Sequence, residues 1–368
     1  MKIYCDTSVL REACLNVQRA VSTKTTIPAI EGILIKAIGN ELLLTGYDLE
    51  VGISTSIPCR VAEQGAIILN AKILCDIVRK IPGDQIYIET DERLLATIRG
   101  GEAEYSLIGI DGNEFPELPT VSGGYPVVVE QKMLKDMVRQ TIFAVSTEDS
   151  KIVHTGVKFE IAPNLIRLVA VDGHRLAMRT ETINYMGEEL SFVVPAKTLN
   201  EVIKLINDEE DTVSLGVGNR HIIFEIGNYQ IVSRLLDGDF LNYKNAIPTS
   251  CTATAKVNTR EMIESIDRTS LIITDKFKSP VRFIFDEKLV RISSITALGT
   301  ANDSFPCEYE GPRVEIGFNN KLLLDALRAC DADEVKIELN SGSAPILILP
   351  IEGDNFLFLI LPMRLKKD

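Results

Sequence analysis

Residues 68–78, ILNAKILCDIV, decide the organisation of the chain because their pattern returns twice. Residues 193–203 read VVPAKTLNEVI and residues 317–327 read GFNNKLLLDAL, which places a lysine at positions 72, 197 and 321. In each copy a short apolar run leads into a segment whose apolar side chains recur every three or four positions, as on one face of a helix. A period of about 125 residues is far longer than a solenoid or propeller unit, so the pattern predicts repeated domains.

Two further markers recur in the same order along the chain. The helical pattern of residues 9–23 returns at 133–147 and, more loosely, at 262–274. The sequence DGNEF at 111–115 returns as DGDF at 237–240, and each copy precedes a stretch with the prolines and glycines typical of linkers. Three domains are therefore predicted. They span residues 1–122, 126–249 and 252–368.

Within each third, the pattern alternates between strands and two helices. Thr7 is predicted to cap the first helix, and Asn70 precedes the second. The predicted helices cover residues 8–21, 71–80, 131–145, 196–206, 259–272 and 320–329. The apolar stripes are predicted to be Leu10, Ala13, Cys14, Val17 and Val21 on the first helix, and Ile73, Leu74, Ile77 and Val78 on the second. Turns such as Asp172-Gly173 between apolar runs predict hairpins, so each domain is α+β, with two helices packed on mostly antiparallel sheet.

The composition limits the class of protein. Of the 368 residues 45% are hydrophobic and 25% charged, which excludes a disordered or collagen-like chain. No apolar run reaches the roughly 18 residues of a membrane span, and the sequence enters a strand pattern directly after Met1. We therefore expect a cytoplasmic protein with no membrane partner. Seven scattered cysteines without a Cys-x-x-Cys pair argue against a disulfide framework and a structural zinc site.

The charge of the chain is unevenly distributed. The net charge is −13, yet the six predicted helices carry 14 basic and eight acidic residues, a net +6 that leaves −19 elsewhere. One interpretation is the general preference of lysine and arginine for helix surfaces. The other is a weakly basic helical surface on an acidic body, which would attract a polyanion through its phosphates without reading its sequence.

Motifs for catalysis are missing from the sequence. The three histidines, His154, His174 and His221, lack the spacing of a metal pair on one helix. There is no P-loop and no Gly-x-Ser-x-Gly elbow, and residues 216–221 fit a hairpin better than a dinucleotide loop. We therefore expect no catalytic centre, no metal and no cofactor.

Two other segments stand out, and each has a purely structural interpretation. Residues 170–177, AVDGHRLA, fit a strand, a turn and a second strand. Residues 356–365, FLFLILPMRL, fit a final core strand followed by a charged tail. The apolar, methionine-containing end beside a proline also fits the wall of a groove that accepts a short peptide.

Over its full length, the sequence resembles the family of bacterial β sliding clamps, the processivity subunits (DNA polymerase III beta subunits) of the replicative polymerase. The resemblance rests on the threefold repeat and on residues 26–28, 44–50, 172–176, 317–319 and 361–365. It implies the DNA clamp fold, with three similar domains per chain. Two chains then close head to tail into a six-domain ring, with helices lining the hole and sheets outside. The implied function is a non-catalytic DNA sliding clamp that encircles double-stranded DNA and tethers the polymerase.

The resemblance also implies a groove for short Gln- and Leu/Phe-containing peptides of the polymerase, the clamp loader and repair proteins. The matching positions are His154, Val171, Gly173, His174, Arg175, Leu176, Leu241, Ala246, Leu359, Leu361, Pro362, Met363, Arg364 and Leu365. Leu241 replaces a proline common in the family, and Asn245 stands where an arginine can occur, so the rim departs from the family pattern.

A ring interface is implied in the same way, and a DNA-facing surface is predicted in addition. Tyr105 and Leu107 of the first domain are expected to meet Leu271 and Ile272 of another copy's third domain. The residues expected to face DNA are Lys24, Arg79, Lys151 and Lys197.

Two rival functions stay open at this point. One is a threefold-repeat enzyme or cofactor protein that uses His174 and nearby acids. The other is a diverged clamp-like protein that confers drug resistance.

Overall fold

The structure, a computed structural model, describes residues 1–22, 25–121, 126–206, 211–274 and 276–365. Within these ranges the chain forms six α-helices and 26 strands. The helices are α1 (Thr7–Val17), α2 (Ala71–Lys80), α3 (Gln131–Ile142), α4 (Ala196–Leu205), α5 (Thr259–Ser270) and α6 (Asn320–Ala329).

The strands follow in chain order. They are β1 (Lys2–Asp6), β2 (Gly32–Ile38), β3 (Glu41–Tyr47), β4 (Val51–Pro58), β5 (Arg60–Glu63), β6 (Gly65–Asn70), β7 (Gln85–Thr90), β8 (Leu95–Gly100), β9 (Ala103–Ile108), β10 (Ile110–Asp111), β11 (Val127–Glu130), β12 (Gly156–Ala162), β13 (Leu165–Val171), β14 (Arg175–Glu181), β15 (Leu190–Pro195), β16 (Thr212–Val217), β17 (His221–Ile226), β18 (Tyr229–Arg234), β19 (Ala253–Asn258), β20 (Val281–Asp286), β21 (Leu289–Thr296), β22 (Gly299–Glu310), β23 (Val314–Phe318), β24 (Glu334–Leu339), β25 (Ile346–Pro350) and β26 (Phe356–Ile360).

The chain divides into two compact units. Unit 1 comprises Met1–Leu134 and Lys197–Leu235, and unit 2 comprises Lys135–Ala196 and the described residues from Leu236 onward. Unit 1 contains a five-stranded sheet, β5-β1-β7-β8-β9, and a nine-stranded sheet, β10-β6-β2-β3-β4-β18-β17-β16-β11. Unit 2 contains a twelve-stranded sheet, β15-β12-β13-β14-β26-β25-β24-β19-β22-β21-β20-β23.

The residues predicted to form a middle domain, 126–249, contribute to both units. In unit 1, β18 pairs with β4 and places Ile231 opposite Ile53. In unit 2, β14 pairs with β26 and places Leu176 opposite Leu359. The sequence predicts strands in each third, but hydrogen bonds join strands of different thirds into continuous sheets, and an edge pairing of this kind has no signal in local periodicity.

The threefold repeat is visible in hydrogen bonds as well as in sequence. In each third, the first backbone N–H of the first helix donates to the carbonyl of an aspartate that follows the second helix. These bonds satisfy a donor that the helix itself leaves unpaired. The pairs are Thr7 with Asp84 at 2.9 Å, Gln131 with Asp211 at 2.8 Å, and Thr259 with Asp333 at 2.8 Å.

Two local predictions about the first helix were wrong. Thr7 does not cap α1. The carboxylate of Asp6 is the cap and accepts from the backbone N–H of Ser8 and Val9, while the Thr7 hydroxyl donates to the carbonyl of Gly83 at 2.8 Å. The helix also ends at Val17, before the predicted end of its apolar stripe.

The second helix begins as predicted and buries Leu74, Ile77 and Val78 of the predicted stripe, but not Ile73. The Asn70 side chain accepts from the backbone N–H of Ile73 at 3.1 Å and caps α2. Ile73 itself is 47% exposed, whereas Cys75 is buried. At about 100° per residue, Ile73 lies about 140° around the helix from the buried Val78, which places it outside the apolar face.

Candidate functional site

A row of apolar side chains crosses four neighbouring strands of unit 2. Val171 of β13 pairs with Leu176 of β14, and Leu176 pairs with Leu359 of β26. Leu359 in turn pairs with Leu347 of β25. All four are buried, and Tyr243 packs against them in one cluster. Because opposite residues of neighbouring strands share a face, the row forms one continuous apolar surface, which we call the groove floor.

The turn at one end of the groove floor is held by Asp172. Its Oδ1 accepts from the backbone N–H groups of His174 at 2.9 Å and Arg175 at 3.0 Å. Gly173 has φ of 88°, a left-handed conformation that glycine adopts without a steric penalty. This hairpin turn, predicted from Asp172-Gly173, leaves the side chain of His174 exposed.

Arg175 is fixed by two carboxylates. Its Nε donates to Asp172 Oδ2 at 2.8 Å, and its Nη1 donates to Asp325 Oδ2 at 2.7 Å. The guanidinium group also lies over the ring of Phe143, 5.4 Å from its centre. The side chain is only 10% exposed, and its charge is paired with carboxylates of the same chain. Arg175 therefore positions the turn.

The segment after the second Asp-Gly marker covers one side of the groove floor. Tyr243, in the 3₁₀ turn Tyr243–Ala246, is 2% exposed, and its hydroxyl donates to Glu160 Oε2 at 2.7 Å. Burial, with the neighbouring Glu160, raises the pKa of Tyr243 to about 12, so the phenol stays protonated. This anchor holds Leu241, 43% exposed, and the exposed Ala246 beside the floor.

The C-terminal segment covers the other side. The backbone N–H of Leu361 donates to the carbonyl of His174 at 2.9 Å, and that of Met363 donates to the carbonyl of Gly317 at 2.8 Å. Leu361 and Met363 are each 39% exposed. Of the other predicted groove residues in this segment, Pro362 and Leu365 are half-buried and Arg364 is exposed.

His154 is the predicted groove residue with an unusual environment. It is 8% exposed, and its ring packs edge-on against Phe240 with the ring centres 5.3 Å apart. Its Nε2 has no hydrogen-bond partner in the structure. Burial, with a smaller contribution from Lys151, lowers the pKa of His154, so the ring is neutral near pH 7.

Some of the residues expected to face DNA form ion pairs with neighbouring carboxylates. Arg79 forms an ion pair with Asp76 at 3.2 Å, and Lys197 pairs with Asp48 at 2.5 Å. Lys151 is exposed. Lys24 lies outside the described residues. Two of these cations therefore share their charge with a neighbouring carboxylate.

The four residues expected at a dimer interface lie at the surfaces of their units. In unit 1, Tyr105 and Leu107 are half-buried on β9, and the following Ile108 is 84% exposed. In the described part of the chain β9 pairs only with β8, so its outer edge is free. In unit 2, Leu271 directly follows α5 and is 80% exposed, and Ile272 is half-buried.

Sequence reasoning missed several residues that shape the site. Asp325 and Phe143 hold Arg175 from positions 150 and 32 residues away, and neither carries a local signal. Tyr243 follows the repeated Asp-Gly marker, and a lone aromatic residue among polar neighbours was the available clue.

Among the described helices none is long and apolar enough to cross a membrane. The described residues also contain no group of three or more His, Cys, Asp or Glu side chains that could hold a metal ion.

Comparison with known proteins identifies the family. Three family models match consecutive stretches: the N-terminal domain of the DNA polymerase III beta subunit over residues 1–119, its central domain over 128–242 and its C-terminal domain over 244–364. The chain is 33% identical to the beta sliding clamp of Halalkalibacterium halodurans over 379 residues, covering 99% of this chain and 100% of the relative.

Solved structures agree with these matches. The structure superimposes on a putative DNA polymerase III beta subunit of Eubacterium rectale with a TM-score of 0.95, 35% identity and 99% coverage of both chains. The DNA polymerase sliding clamp of Bacillus subtilis gives a TM-score of 0.97 at 30% identity and 100% coverage of both chains. The chain therefore belongs to the beta sliding clamp family, the DNA polymerase III beta subunits, has their three-domain α+β clamp fold and serves as a sliding clamp in processive DNA synthesis.

Proposed function

We propose that this clamp works as a homodimer that closes head to tail into a ring around double-stranded DNA. The observation that carries the proposal is a pair of surfaces with exposed apolar side chains beside free strand edges, one on each unit. The first is the free edge of β9 with Ile108, 84% exposed. The second is Leu271, 80% exposed, at the end of α5.

The second surface also has a free strand edge. All of β22 from Gly299 to Pro306 pairs with β21, but only residues 307–310 pair with β19 on the other side. Along residues 299–306, the described part of the chain therefore leaves the outer edge of β22 without a partner. Two free edges pair readily with each other, and apolar side chains beside them add burial. In a two-chain ring this contact forms twice, so both of these edges are paired in each chain.

The resulting ring holds DNA without catalysis and without a cofactor. Arg79, Lys151 and Lys197, with Lys24, are the proposed contacts to phosphates, which carry no sequence information. The ion pairs of Arg79 and Lys197 keep these contacts weak, which suits a protein that slides. In this proposal the three domains are residues 1–122, 126–249 and 252–368, and the clamp acts in the bacterial cytoplasm.

The groove floor and its rims form the docking site for partner peptides from the polymerase, the clamp loader and repair proteins. The buried row of Val171, Leu176 and Leu359 gives a rigid apolar base. Leu241, Leu361 and Met363 are partly exposed beside it and can close on leucine and phenylalanine anchors. The other proposed rim residues are His154, Gly173, His174, Arg175, Ala246, Pro362, Arg364 and Leu365.

Retention on circular DNA tests the encircling mechanism. Clamp loaded onto nicked circular DNA should stay bound after a salt wash and leave when the DNA is linearised. Equal retention on linear DNA would contradict a ring that slides off an end. Loading by the cell's own loader, with stimulation of its polymerase, separates a replication clamp from a clamp-like resistance protein.

A further inference from the structure

A cavity of about 650 Å³ lies beside the C-terminal segment within unit 2. It is bounded by residues 276–280 of the loop between α5 and β20, by residues 295–297 at and just after the end of β21, and by residues 363–365. Its volume is in the range that accepts a few side chains or a small ligand. Met363, Arg364 and Leu365 are also proposed groove residues, whereas no role has been given above to the loop 276–280 or to residues 295–297.

The lining of this cavity is basic. Lys276, Lys278, Arg282 and Arg364 line it, and none of the lining residues that the structure describes is acidic. Arg282 forms an ion pair with Glu315, with Nη2 and Oε1 2.6 Å apart, and so supports the wall. Lys276, Lys278 and Arg364 are exposed. The described lining therefore presents three exposed cations and no carboxylate, while Asp275 lies outside the described residues.

The cavity also has an apolar component. Phe277 and Pro280 line it from the loop, and Ile295, 54% exposed, lines it from β21. The ammonium group of Lys276 lies 5.4 Å from the centre of the Phe277 ring. Apolar walls beside fixed cations suit a side chain that has methylene groups and ends in a carboxylate.

The cavity adjoins the proposed groove, because Met363, Arg364 and Leu365 belong to both. The backbone hydrogen bond from Met363 to Gly317 fixes the C-terminal segment against β23. Gly317 permits this approach, since a Cβ at that position would lie 2.7 Å from Leu365 Cδ2 and 2.9 Å from the carbonyl oxygen of Met363. A peptide seated in the groove therefore has one flank next to the basic cavity.

We propose that this cavity binds an acidic side chain of the partner peptide, immediately beside the leucine and phenylalanine anchors. The proposal rests on the peptide-docking role of the groove and adds a preference of charge to it. Once the anchors are bound, the acidic residue reaches the cavity as an intramolecular contact, so a modest attraction adds to the affinity. The three exposed cations give it a favourable field, which salt weakens.

Duplex DNA is the alternative anionic ligand for such a cavity. Proteins bind a duplex through several phosphates at once, so DNA binding needs an extended row of basic side chains. The cavity is a concave site at the end of an apolar groove, and its walls include Phe277, Ile295 and Met363. These features favour a peptide side chain.

The test uses three fluorescein-labelled synthetic peptides that share a glutamine and a Leu-Phe pair. One has Asp-Asp before the glutamine, one has Asp-Asp after the phenylalanine, and one has Asn-Asn at both places. Each acidic peptide has Asn-Asn at its other place. Aspartate and asparagine have nearly the same shape, so the main difference between the peptides is charge. With wild-type protein at about 0.1 M salt, one acidic peptide should bind about threefold or more tighter than the neutral peptide. At about 1 M salt the difference should disappear.

Matched variants locate the effect. Lys278→Gln, and the double variant Lys276→Gln with Lys278→Gln, should remove the preference and leave the affinity for the neutral peptide unchanged. Lys288→Gln is the control because it removes the same charge from the exposed turn at the opposite end of the β20–β21 hairpin. The control should keep the full preference.

Each other outcome overturns the inference in a recognisable way. If the neutral peptide binds and neither acidic peptide binds tighter, the cavity does not select acidic residues and the groove stands. If no peptide binds at all, the proposed docking role fails and the inference fails with it. If Lys278→Gln weakens binding of a 20-base-pair duplex more than Lys288→Gln does while leaving the peptide preference intact, the cavity contacts nucleic acid.

Discussion

Leu271 gives the sharpest test of the proposed ring. It directly follows the last residue of α5, Ser270, and is 80% exposed in the isolated chain. An apolar side chain exposed to this extent has little effect on the fold of one chain, so replacing it should leave the monomer intact. If the residue lies in the contact between copies, Leu271→Glu should open the ring.

The expected magnitude follows from the exposed fraction. Burying a whole leucine side chain is worth about 1.5–3 kcal/mol, so burying four-fifths of one is worth about 1–2.5 kcal/mol per contact. A head-to-tail ring contains the contact twice, which gives about 2–5 kcal/mol for closing it. A buried glutamate without a cation adds a further desolvation penalty. At 1.4 kcal/mol for each factor of ten, the dissociation constant of the dimer should rise by about a hundredfold or more.

Sedimentation velocity over a dilution series measures this change directly. Met186→Glu is the matched control, since Met186 is 75% exposed and lies in none of the proposed contacts. Wild type and Met186→Glu should dimerise at micromolar concentration, while Leu271→Glu should sediment as a monomer with an unchanged circular dichroism spectrum. A Leu271→Glu protein that dimerises like the control would refute the proposed interface, and a monomeric wild type would refute the ring itself.

Three further predictions concern the groove, DNA contact and pH. Met363→Ala combined with removal of residues 364–368 should abolish binding of a polymerase-derived peptide in fluorescence anisotropy. The dimer should survive, because the proposed ring contact involves none of residues 363–365. Unchanged affinity would show that the groove is misplaced. Lys151→Ala should lower loading onto DNA modestly and equally for all sequences. It should also reduce the salt dependence of DNA binding by about one phosphate contact. A sequence-dependent loss would argue against phosphate contact. Burial, aided by nearby cations, holds the pKa values of His154 and His221 below the ordinary 6.5. The unfolded chain therefore binds protons first as the pH falls. The stability that the neutral histidines contribute is present above about pH 6.5 and lost below it. Urea titrations at pH 7.5 and 5.5 should show a smaller loss for His154→Gln than for wild type, and equal losses would show that His154 does not contribute.

Local periodicity was enough to predict the helices and the repeat. An apolar side chain every three or four positions fixes a helix wherever one face is buried, and residues 320–329 form the predicted sixth helix with both ends correct. The Asn70 cap followed from the same local logic. The cap of α1 was misassigned because Asp6 and Thr7 are adjacent and both residue types cap helices. Only the structure shows that the Asp6 side chain turns to the helix and the Thr7 hydroxyl to Gly83.

The site itself depends on pairings that the sequence does not show. Leu176 and Leu359 are 183 positions apart, yet they are opposite neighbours on β14 and β26. Only the resemblance to a family brought them together in advance, since hydrogen-bond register between distant strands has no local signature. The basic cavity was missed for the same reason: Lys278 and Arg364 look like ordinary surface charges until the hairpin and the tail are placed side by side.

The groove separates stability from recognition. Its floor residues, such as Leu176, are also core residues, so a smaller side chain there should create a cavity and weaken both folding and peptide binding. Met363 is 39% exposed and packs on the surface, so changing it affects binding with little cost to the fold. Arg175 cannot supply charge to a partner, because Asp172 and Asp325 already bind it. Any selectivity for charged residues in partner peptides must therefore come from cations outside the floor, and within the described residues the lysines of the 276–280 loop are placed to supply it.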